Sequence, residues 1–139
     1  MRNIKIVMVI VLGLVLCGAA VFQKSDCKKK AEIFLAGVLE GEIDKSYDEI
    51  LPEWLKEAKL QEVQVLKSQT KATLDAHGKL LGYEFIKQQK YGDCIVRLVY
   101  VLKSERVPFT LEFYFYKASS DWSFVNIKLS SEYDLLADK

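Results

Sequence analysis

One histidine, three cysteines and two prolines in 139 residues leave little material for several kinds of chemistry. Three cysteines at positions 17, 27 and 94 exclude a CxxC redox pair and a thiolate metal cluster by count and spacing. There is no glycine-rich phosphate loop and no nucleophile elbow. Neither sign of charge is in excess, with 20 basic residues against 19 acidic. Such a chain has no overall field to draw nucleic acid or anionic lipid, and its only lysine run, Lys28-Lys29-Lys30, reads as a solvated helix face. No cofactor or metal is implied.

One long hydrophobic run is present, and it stands at the start. Arg2 and Lys5 give a positive beginning, residues 6–16 are unbroken and apolar, and Gly18-Ala19-Ala20 offers small residues for cleavage. That is the layout of a secretory signal over residues 1–20. Two other readings stand beside it. Residues 6–22 reach the lower length of a membrane-spanning anchor, ~17 residues, and Cys17 is a candidate for lipid modification, although Leu16 is larger than that processing prefers. All three put Gln23 onward outside the cytoplasm, in solution or tethered at a membrane. Losing residues 1–20 removes Arg2 and Lys5 and leaves 18 basic residues against 19 acidic. In an oxidising compartment Cys27 and Cys94 are a candidate disulfide, worth ~4 kcal/mol on the chain-entropy picture; the other reading makes each a small buried apolar residue.

The rest reads as one domain over residues 26–130 with a tail over 131–139. Ala31, Phe34, Leu35, Val38 and Leu39 recur at helical spacing before Gly41. Asp44 is placed to cap a second short helix that buries Tyr47, Ile50 and Leu51 and ends at Pro52. A third helix is expected over residues 53–77, with Trp54, Leu55, Ala58, Val63, Leu66 and Leu74 inside and a kink or break near Leu60, where the stripe drifts. Gly78 ends it, leaving His77 at a helix terminus.

Beyond Gly78 the period changes from 3.6 to 2. Four alternating runs, separated by turns at 91–93, 104–105 and 118–121, predict an antiparallel meander. Pro108 sits near a strand start, where a missing donor costs least. Leu135 and Leu136 suggest a short terminal helix or a frayed tail. One sheet face (Leu81, Phe85, Leu98, Leu111, Phe113, Phe115) is apolar and must be covered by the helices, so the expected class is α+β, three N-terminal helices on one face of a curved four-stranded sheet. The other face carries Arg97, Val99, Val101, Glu112, Tyr114 and Tyr116. A two-residue second turn sets Arg97 opposite Glu112 as a rim salt bridge, and the tyrosines and valines beside it suggest an interface with a second copy.

Three helices followed by a meander, with Gly41-Glu42-Ile43-Asp44-Lys45-Ser46-Tyr47, Leu51-Pro52-Glu53 and the closing Phe115-Tyr116-Lys117 and Trp122-Ser123-Phe124-Val125-Asn126, resemble the nuclear transport factor 2-like (cystatin-like) cone superfamily. The resemblance spans residues 27–129 and is similar to small exported bacterial domains of unassigned activity. The superfamily includes enzymes, ligand binders and dimerisation modules, so it implies a fold more than a function. Its isomerases and cyclases use an Asp or an Asp–His pair inside the cone; here Glu84 and Glu112 fall on the outer parity and His77 lies at a helix end. The polar residues placed to line a cavity are Tyr47, Tyr83, Tyr100 and Asn126, the last facing the helices if the third turn has four residues. The expectation is therefore an exported, non-catalytic module binding a small ligand or another exported protein, as a candidate homodimer. A cavity enzyme of the isomerase, cyclase or hydrolase type, with Tyr47 and Tyr83 as donors, and a structural or inhibitory partner of another exported protein are the alternatives.

Overall fold

A computed structural model describes residues 25–137; the leader, Cys17 and the run to Phe22 lie outside them. The elements are α1 (Asp26–Leu39), α2 (Ile43–Ile50), α3 (Glu53–Ala58), α4 (Leu60–Asp75), β1 (Leu80–Tyr91), β2 (Ile95–Ser104), β3 (Phe109–Lys117), β4 (Trp122–Ser130) and α5 (Asp134–Ala137). The strands pair antiparallel in the order β1-β2-β3-β4, and the helices before them cover one face. The α+β class read from the sequence is the observed one. Among the described residues no helix is long and apolar enough to cross a membrane.

Each helix follows from local chemistry. Ser25 caps α1 by accepting from the Lys28 amide at 3.3 Å, and Cys27, Ala31, Phe34, Leu35 and Val38 form the buried stripe. Gly41, at φ +82°, takes the left-handed turn that lets α2 fold back. Asp44 does not cap α2: the helix begins at Ile43, and Asp44 instead pairs with Lys71 of α4 at 2.9 Å. That ammonium holds the Asp44 carboxyl below its ordinary value. Asp48, one turn further along α2, accepts from the buried Lys67 at 2.6 Å. Pro52 holds Leu51 extended (ψ 128°) and opens α3.

The expected third helix is two. It breaks at Lys59 (φ −133°, ψ 41°) because the apolar stripe of α3 is out of phase with the Val63, Lys67, Thr70, Leu74 face of α4. Trp54, expected inside, is 59% exposed as a result, and α3 buries no residue fully.

The sheet keeps the predicted alternation but shifts its register. One extra residue bulges at Leu81 and one at Ile86 on β1. Leu81 is therefore 61% exposed rather than on the covered face, and Phe85 is 39% exposed, with the Lys28 ammonium 3.8 Å from its ring centre. The last β2–β3 pair is Leu102 with Phe109, so six residues lie between the paired positions rather than the two-residue turn expected. That link sets Arg97 opposite Tyr114 and Val99 opposite Glu112. The third turn does have four residues, but β4 bulges at Val125, so Ile127 rather than Asn126 stands opposite Phe113. The tail includes the short helix α5, and Tyr133 ahead of it donates to the Pro108 carbonyl at 3.0 Å.

Candidate functional site: a groove at the edge of a filled interior

The space between helices and sheet is occupied by side chains. Phe34 meets Phe113 edge-to-face at 5.5 Å and Tyr47 at 4.9 Å, while Tyr100 meets Phe113 at 5.7 Å. Leu98, Leu102, Phe113 and Phe115 are wholly buried around them. Each such side chain contributes ~1.5–3 kcal/mol by leaving water, so the centre is where the fold gains its stability.

The four residues expected to line a cavity do not converge. Tyr47 is buried, and its hydroxyl donates to Thr70 Oγ1 at 2.8 Å, because Thr70's own proton goes to the Leu66 carbonyl. Burial raises the Tyr47 hydroxyl above its ordinary pKa, with the Thr70 bond opposing. Tyr100 is fully buried with no partner for its hydroxyl among the described residues, and burial, then the nearby Glu32 and Tyr83, drive its pKa far up. Tyr83 is half-buried beside it. Asn126 is exposed, because the bulge at Val125 pairs it with Tyr114 on the outer face. His77 ends α4 as expected, donating from Nδ1 to the Thr73 carbonyl at 2.6 Å and packing its ring on Phe109. Among the described residues no group of His, Cys, Asp and Glu is placed to hold a metal.

An apolar concavity lies at the side, where α3 and the start of α4 meet β4. Leu51, Leu55, Val63, Leu66, Phe124 and Ile127 line a groove of about 180 Å³, with Lys59, Glu62 and Asn126 at its rim. Two local irregularities create it. The break at Lys59 swings α3 away from the sheet, and the bulge turns Val125 outward, 39% exposed. A broader hollow of about 890 Å³ on the outer side of the same helix corner is open surface, lined by Glu57, Leu60, Val65 and Gln69 among others. Of the groove residues, Leu51, Leu55, Val63 and Leu66 were legible as core positions and Asn126 as a cavity residue, while Phe124 and Ile127 carried no such signal. The one sequence signal for an opening was the drift of the stripe near Leu60.

The outer sheet face is closed by its own polar network. Glu112 Oε2 accepts from Arg97 Nε at 2.6 Å and from the Tyr114 hydroxyl at 2.7 Å, while Arg97 Nη1 donates to Gln89. The Arg97 and Glu112 side chains are 6% and 5% exposed, so this is a buried pair rather than a rim bridge. Burial, then the bonded Glu112 carboxylate, raises the Tyr114 hydroxyl. Val99 is fully covered between them. Of the expected interface, Arg97, Val99 and Glu112 are inaccessible, Val101 and Tyr114 are half-buried, and Tyr116 is 43% exposed.

Cys27 and Cys94 are both free thiols; the bridge weighed from the sequence is not formed. Cys27 points into the core, where burial pushes its thiol up to about 11, and Cys94 is exposed in the β1–β2 turn. Comparison with known protein families, with curated proteins and with solved structures finds no match in any of the three.

Proposed function

We propose that the chain is a non-catalytic binding module of the cone type that works outside the cytoplasm and takes an apolar group of another exported molecule into the groove between α3–α4 and β4. The observation that supports it is the contrast between a centre filled by Phe34, Leu98 and Phe113 and an apolar groove left open beside it. A cavity enzyme needs polar groups converging on interior space, and those three side chains occupy that space. The groove, at about 180 Å³, is below the ~300 Å³ at which drug-sized ligands are usually enclosed. Its size suits one leucine- or phenylalanine-sized side chain, or a chain of about six carbons, with Lys59 and Glu62 at the rim for a polar end.

The test is a titration with N-acetyl-leucine amide and with hexanoate, followed by NMR. Saturable shifts are expected, and Leu66→Trp, which fills the groove, weakens them at least tenfold while the fold persists. No saturable shift with either probe, or equal binding by the tryptophan variant, would contradict the proposal. A second copy docked on the outer sheet face is the competing reading, supported by the half-exposed Val101, Tyr114 and Tyr116.

A further inference from the structure

The fold collects at one end what the sequence scatters. Lys30 Nζ of α1 donates to the Trp122 carbonyl at 2.8 Å, which ties the start of α1 to the β3–β4 turn. The Lys117 amide donates to the Cys94 carbonyl at 2.8 Å, which brings in the β1–β2 turn, and the Lys117 ammonium stands 5.1 Å from the Trp122 ring centre. Across the sheet at this same end, Tyr91 pairs with Ile95 and Ile95 with Tyr116; their exposures are 49%, 36% and 43%. Four lysines (29, 30, 90 and 117) stand here against three aspartates (26, 93 and 121), the Lys28 ammonium lying instead over the Phe85 ring, whereas acids outnumber bases among the other described residues. Tyrosine and tryptophan beside lysine is the composition that settles at headgroup depth, with rings half in and ammonium groups toward phosphate.

The chain outside the described residues says what this end meets. Only Gln23 and Lys24 separate Phe22, the end of the apolar run, from the Ser25 cap of α1. Three extended steps span at most ~10 Å, and a headgroup layer is about 5–7 Å deep. A domain tethered through residues 6–22 therefore has the start of α1 against the headgroups.

We propose that the end of the domain formed by the start of α1 and the two hairpin turns is a lipid-docking surface, seated on an anionic headgroup layer with Trp122, Tyr91 and Tyr116 at headgroup depth. The proposal rests on the extracytoplasmic reading above and on the retained leader.

Trp54 stands on α3 and Trp122 at the start of β4, so the two tryptophans give the test. The full chain carrying Trp54→Phe, with Trp122 as sole tryptophan, is reconstituted with vesicles of phosphatidylcholine and phosphatidylglycerol whose acyl chains are brominated. Flotation reports the tether, and quenching of Trp122 reports the docking. The expected result is a floating chain whose Trp122 emission falls by half or more and shifts to the blue. Lys29→Glu with Lys30→Glu and Lys90→Glu should relieve that quenching without loss of flotation, and the reciprocal Trp122→Phe chain should leave Trp54 unquenched. A floating chain whose Trp122 is no more quenched than Trp54 overturns the docking and keeps the tether. Trp122 is partly buried against the core, so its lipid-free emission is the baseline, and an emission that vesicles leave unchanged overturns the docking as well. If mass spectrometry finds the exported chain cut after Ala20, flotation of that shorter chain with the same vesicles decides: retention supports docking and loss overturns it.

Discussion

Arg97 and Glu112 are hidden on a sheet face that no helix covers, and each depends on the other to be there. The Glu112 carboxylate takes two hydrogen bonds on one oxygen, from Arg97 and Tyr114. Removing one charge strands its partner. Arg97→Met should cost ~3–5 kcal/mol in urea unfolding. The double variant Arg97→Met with Glu112→Leu, which leaves no buried charge unpaired, should cost less than half as much. Equal losses in the single and double variants would show that the pair is no energetic unit. Tyr100 is the opposite case, a buried hydroxyl without a partner among the described residues. Tyr100→Phe should be neutral or stabilising by ~1 kcal/mol, since it removes a desolvated group and leaves no gap. A loss above that size would mean that the hydroxyl is satisfied in solution.

Element against element, α1 packs closely on α2 at one glycine. A Cβ at Gly37 would stand 2.2 Å from Ser46 Oγ but 3.5 Å from Ser46 Cβ. Ser46 Oγ in turn donates to the Glu42 carbonyl at 2.9 Å. Gly37→Ala should therefore be neutral or destabilising in the native chain, because the hydroxyl must turn away from its acceptor. In a Ser46→Ala background the same change should stabilise by ~1 kcal/mol, the ordinary helix preference of alanine over glycine. Thermal unfolding of the four chains reads the change of sign; the same sign in both backgrounds would refute the contact.

The same scale separates what the sequence made legible from what it did not. Alternation located every strand, because Val96, Leu98, Tyr100 and Leu102 must all face the helices. The phase drift near Leu60 located the break between α3 and α4. The bulges at Leu81, Ile86 and Val125 left no mark, since an extra valine or isoleucine looks like any other strand residue and only cross-strand pairing selects it. Those bulges moved Leu81 and Asn126 off the helix-facing side. The link before Pro108 likewise moved Arg97 one step from Glu112, yet their long side chains still meet diagonally.

At the scale of the whole molecule, the interior stabilises and the margins remain for contact. Tyr47 and Tyr100, which the sequence offered as cavity residues, are spent on the core, whereas Leu55 and Leu66, which it offered as core, line the groove. The proposed groove and the lysine-rich end use different residues, although both include the start of β4. The most direct test is where an apolar probe goes. In methyl-resolved NMR of the chain titrated with N-acetyl-leucine amide, the groove methyls of Leu55, Val63, Leu66 and Ile127 should shift and saturate together, while Leu98, Leu102 and Leu111 in the centre stay unmoved. Saturating shifts at the central methyls would mean that the interior opens to ligand, and would contradict a filled core with its binding site at the edge.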